Sequence, residues 1–130
     1  MANVAFRDAV LKERVYSHLA NTDCLFIGTL PGKLYDWGMS MNKLADYLAV
    51  GRPIIMACDA QTNVVAASSV GLAVPSDTPV KLADAMSRVA SLSLQTRLAM
   101  GERGVALAAE LDLSKLADKY ENLLLRLVAR

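Results

Sequence analysis

Apolar positions in this chain alternate between short continuous runs and longer stretches with helical spacing. Three runs, residues 24–28 (CLFIG), 53–57 (PIIMA) and 71–74 (GLAV), are bounded by turn formers and read as strands of a parallel sheet. A weaker run at residues 3–6 reads as a first strand. Between them, residues 12–21 carry Val15 and Leu19 four apart, as a helix face requires. A turn-rich loop at 29–37 follows the central run, with Pro31-Gly32 inside it. Residues 41–50 put Met41, Leu44, Ala45 and Leu48 on one helical stripe, and Gly51 and Pro53 stop that helix. A short helix over 63–69, capped by Asn63, leads to the GLAV run. Thr78-Pro79 pairs a capping residue with a first-turn proline, opening a helix that buries Leu82, Ala85, Met86 and Val89. Gly101 and Gly104 are expected to break or bend the next helix, 94–111. The last, about 113–129, has the longest seam, running from Leu113, Leu116 and Ala117 through Tyr120 and Leu123 to Leu124, Leu127 and Val128.

Strand and helix in alternation imply right-handed crossovers. The expected fold is α/β, a three-layer Rossmann-like parallel sheet of about four strands with helices on both faces. In such sheets ligands bind at the carboxyl ends of the strands. The loop after residue 28 and the start of the 41–50 helix both belong to that edge.

At 130 residues the chain suits a single domain with a sizeable core, and 54% apolar with 21% charged residues excludes a disordered class. A net charge of +1 without any base-reading motif argues against nucleic acid as a partner. Cys24 and Cys58 sit in apolar runs without a histidine cluster and read as reduced core residues of a cytoplasmic protein. His18, the single histidine, reads as a surface residue, and no metal site is expected. No secretory leader and no membrane-spanning run is expected either.

The chemistry concentrates in residues 38–55. Lys43 lies in the first turn of its helix, where unpartnered N–H groups and the peptide dipoles already make the environment electropositive. Alone, a lysine there weakens the helix; with an anion at the helix start the sign reverses. The alternative is an ordinary N-cap at Ser40 and a solvated Lys43. Asn42, Lys43 and Asp46 share the side of the helix opposite its apolar stripe.

The phrases SMNKLADYLAVGRPII, NVVAASSVGLAVPSDTPVKLADAMSRV and RLAMGERG, in this order, resemble the C-terminal, donor-binding domain of retaining nucleotide-sugar glycosyltransferases of the two-domain GT-B type. The first is similar to the subgroup pattern S-P-N-K-L-x-D-Y-M-A-x-G-K-P of bacterial surface-polysaccharide enzymes, with Met41, Leu48 and Arg52 departing from it. The resemblance implies that Asp46 holds the ribose hydroxyls of a nucleotide diphosphate-sugar. It implies that the turn at Ser40, Met41 and Asn42 meets the diphosphate or donor sugar through backbone N–H groups, and that Lys43 adds charge against the phosphates. The family's first acidic position falls on Gly38, and Asp36 is no clean substitute.

By this resemblance the whole enzyme moves a sugar to an acceptor hydroxyl in cell-envelope polysaccharide or glycolipid synthesis, without a cofactor. It would work in the cytoplasm, at most peripherally at the membrane. No catalytic residue is assigned. Residues 1–130 would form one partial domain, lacking the acceptor-binding N-terminal domain and the first β-α-β unit; the family's glycine after its next strand is Asp8 here. The expected partners are the nucleotide-sugar, the missing domain or a partner chain docked on the 113–129 helix, and a second copy through exposed apolar surface. The competing expectation is a non-catalytic subunit that needs a partner for the other half-site.

Overall fold

The computed structural model describes residues 3–37, 42–60 and 63–128. Helix α1 (Lys12–Ala20) leads into β1 (Leu25–Gly28), and a 3-10 turn (Lys33–Tyr35) precedes α2 (Asn42–Val50). Then follow β2 (Ile54–Ala57), α3 (Val64–Ala67), β3 (Gly71–Val74), α4 (Pro79–Ser91), α5 (Leu94–Glu110) and α6 (Leu113–Val128). The strands form a parallel sheet in the order β1-β2-β3, in a register that pairs Leu25 with Ile54 and Ile54 with Gly71. This is a Rossmann-like α/β arrangement.

All four residues of β2 are buried, because neighbours flank it on both sides and helices cover both its faces. Ile54, Met56 and Cys58 turn to one face, where they meet Leu25 and Ile27 of β1 and Leu44 and Leu48 of α2. Leu19 of α1, Val65 of α3 and Leu107 of α5 complete that core. Ile55 turns the other way, toward Ala85 and Val89 of α4. Helices therefore lie on both faces, but unequally: one face carries α1, α2, α3 and α5, the other α4 alone.

That inequality corrects several expectations. The second face of the β1 run is covered only where Cys24 packs against the α4 cluster, and Phe26 remains 43% exposed there. Met86, expected in the core, is 47% exposed, because it borders an open groove beside β1 rather than a packed face. Ala45 is exposed too, while Tyr47 and Val50 pack against the core instead. Residues 3–6 form no strand and Phe6 stands 98% exposed. A short extended segment without a ladder partner has nothing to offset its ordering entropy, so the sheet has three strands among the described residues, not four.

The capping expectations divide. Asn63 does cap α3, its side-chain Oδ1 accepting from the N–H of Val65 at 3.1 Å. The Thr78 hydroxyl instead donates to the Pro75 carbonyl at 2.7 Å and makes no cap. Arg52 reaches back to α1, its Nη2 donating to the Ala20 carbonyl at the end of that helix at 2.6 Å. Neither Gly101 nor Gly104 breaks α5. Both are buried against α2, and a Cβ on Gly101 would lie 2.0 Å from the Gly51 carbonyl oxygen. Gly51 itself has φ +72°, the left-handed conformation that ends α2. Among the described residues no helix is long and apolar enough to cross a membrane.

Candidate functional site

At the carboxyl end of β1 the backbone N–H and the hydroxyl of Thr29 both donate to the Ala57 carbonyl, at 2.9 and 3.2 Å. This ties the loop after β1 to the end of β2. The 3-10 turn then sets Tyr35 against the main core, and α2 enters with its first turn beside that loop. The result is a crevice of about 400 Å³, lined by Thr29, Tyr35, Asn42, Lys43 and Tyr47 together with residues 26–28 of β1. Its volume falls within the usual range for small-molecule sites.

Lys43 brings a positive charge to a helix start with no acid in its first turn, and no ion pair reaches it among the described residues. Asn42 contributes an amide at the first helical position. Together they make the mouth of the crevice suited to an anion. Asp46 is one turn further along α2, exposed, and not among the residues lining the crevice. The expectations placed on Ser40 and Met41 fall outside the described residues, as does the position of Gly38. Of the three singled-out residues that are described, Asn42 and Lys43 line the crevice and Asp46 does not.

Tyr35 and Phe26 were not anticipated as site residues. Tyr35 sits in a turn-rich stretch with no periodic signal, and Phe26 sits in a run read as fully covered. A second feature of this edge also went unread. Asp59, just beyond β2, accepts from the Ser76 N–H at 2.9 Å and from the Ser76 hydroxyl, stapling the ends of β2 and β3. Both residues stand two positions beyond their apolar runs, the one signal that marked them.

On the opposite face, a smaller apolar groove of about 160 Å³ opens beside β1, between Phe26, Cys24, Met86 and Val89. Burial pushes the Cys24 thiol above its ordinary value, which keeps it protonated and unreactive. Neither cysteine forms a disulfide. Among the described residues, no group of histidine, cysteine, aspartate and glutamate is placed to hold a metal ion. Compared with known proteins, the chain matches no family model, no curated protein and no solved structure at a significant level.

Proposed function

We propose that this chain is the donor-binding portion of a retaining glycosyltransferase that moves a sugar from a nucleotide diphosphate-sugar to an acceptor hydroxyl. The observation that carries the reading is the crevice at the carboxyl end of β1, with Asn42 and Lys43 at the start of α2. The N-K-L-x-D-Y part of the phrase, similar to the donor-site motif of that family, opens α2 at residues 42–47 and supports this reading. In this reading the diphosphate meets the helix start and Lys43, and Asp46 accepts hydrogen bonds from the ribose diol. Departure of the nucleotide would be eased by that fixed positive field, an electrostatic contribution that needs no proton transfer. Cell-envelope polysaccharide or glycolipid is the acceptor class that the motif resemblance suggests.

A second reading, a non-catalytic subunit completed by a partner, is favoured by one observation. Helix α6 buries none of its residues, although Leu113, Tyr120, Leu123 and Leu127 line one side of it. Such a helix suits another domain, a partner chain or a second copy.

NMR titration of the chain with UDP, GDP and ADP tests the proposal, using wild type and Asp46→Ala. The expected result is weak, millimolar binding centred on α2 and the loop before it, weakened further by the substitution. If no nucleotide perturbs that segment, the donor-site reading is wrong and the partner-completed reading takes its place.

A further inference from the structure

This chain is poor in aromatic residues, with four tyrosines, two phenylalanines and one tryptophan. Two of them, Tyr35 and Tyr47, line the crevice that also holds Lys43. They arrive there from two elements, the 3-10 turn and α2. Tyr35 and Tyr47 are both half-buried and packed against the core cluster, so their rings have little freedom to turn away. Tyr47 follows Lys43 by four residues and therefore shares its face of α2. A cation at a helix start alone would suit any anion. Tyrosine walls beside it favour a ligand that joins a flat π-system to its negative charge.

Resting on the donor-site reading above, we infer that Tyr35 and Tyr47 are the residues that recognise the ligand's nucleobase by stacking. Lys43 and the start of α2 take its phosphates. Asp46, outside the crevice lining, contributes to neither of these contacts. Ring contact is sequence-tolerant among bases, because every base has a π-face, so the tyrosines select for a nucleotide over a bare diphosphate more than for one base.

The test compares inorganic pyrophosphate with UDP, GDP and ADP on the full chain, following the tyrosine ring protons and the α2 amides by NMR. The tightest-binding nucleotide should exceed pyrophosphate by about tenfold, the low-to-middle range for one stacked base. The Tyr35 and Tyr47 ring protons should move upfield with nucleotide and stay in place with pyrophosphate. Tyr47→Leu and Tyr35→Leu should bring nucleotide affinity down toward that of pyrophosphate. The Phe counterparts should retain it, and Lys43→Ala should weaken both ligands. Should a Leu variant fail to fold, the wild-type ring shifts decide. Pyrophosphate binding as tightly as every nucleotide, or nucleotide binding with unmoved rings, would overturn this inference and leave the donor-site reading intact. A hexose stacked in place of the base would give the first of those results. Binding of neither ligand would overturn both.

Discussion

Helices α5 and α6 are consecutive, similar in length and similarly started, yet they end up in opposite circumstances. The Ser93 hydroxyl accepts from the Thr96 N–H at 3.1 Å at the head of α5; Asp112 Oδ1 accepts from the Ser114 N–H at 2.9 Å at the head of α6. The more continuous apolar seam belongs to α6, and none of its residues is buried. α5 has the weaker pattern and is the one anchored, through Gly101 and Gly104 against α2. An apolar stripe states that a helix requires cover, whereas a pair of glycines one turn apart states how closely a neighbour's backbone approaches. Only the second kind of signal identifies a contact within this chain.

The largest effect should come from closing that approach. Gly101→Ala would place a Cβ 2.0 Å from the Gly51 carbonyl oxygen, a rigid backbone atom that cannot rotate aside. Alanine's better helix propensity returns at most about 1 kcal/mol. Forcing α2 and α5 apart costs more, and a net loss of about 2–3 kcal/mol, near 10 °C in melting temperature, is expected. Thermal denaturation followed by circular dichroism measures it. An unchanged midpoint would mean that α5 does not sit on α2 as closely as described, and the contrast with α6 would vanish.

Which parts of the fold could be read beforehand follows from the same distinction. Element order and the parallel sheet were legible because alternation of strand and helix leaves few topologies open. Asn63 was legible as a cap because its chemistry is local. Cover was not. The run containing Phe26 looks the same whether one face or two are packed, and Met86 continues α4's apolar stripe over a groove beside β1 that stays open. Gly101 and Gly104 read as breakers, since propensity counts their entropy and cannot count the backbone across from them. At the candidate site, Lys43 was legible from its clash with the helix dipole. Tyr35 was not, because a crevice is built by folding a loop onto a helix and no local spacing records it.

A smaller effect is expected on α6, and here the absence of a change is the informative result. Leu116→Lys with Leu123→Lys removes two seam residues that contribute nothing to the described core. Unfolding stability of the sheet domain should stay within about 0.5 kcal/mol of wild type, as for surface positions generally. Sedimentation velocity should show less self-association than wild type, since the seam is the longest apolar stripe left uncovered. A large drop in stability would mean that α6 folds back onto the domain in solution. The helix content of α6 should itself be marginal without cover, because a helix of 16 residues is near the limit of independent stability in water.

The smallest effect concerns the link between the two helices, where charge replaces packing. Glu110 ends α5, an unfavourable place for an acid, and is compensated by Lys115 at 2.8 Å and Lys119 at 3.9 Å. The hydrogen bond from Lys115, then the charges of Lys115 and Lys119, hold the Glu110 carboxyl below its ordinary 4.5. The backbone N–H of Ser114 does most to hold Asp112 below its ordinary 3.8. Both folded values are depressed, so both carboxylates favour the ordered turn above those ordinary values. That contribution fades as pH falls through the lowered folded ones. Both groups are fully solvated, and salt should screen the Glu110 pairs. The Ser114 and Lys115 amides should therefore lose exchange protection on acidification from about pH 6 to about pH 3, while those of α5 beside Gly101 and Gly104 keep theirs. Equal loss along both helices would show that α5 and α6 open together, and that the turn between them is no weaker than the glycine contact.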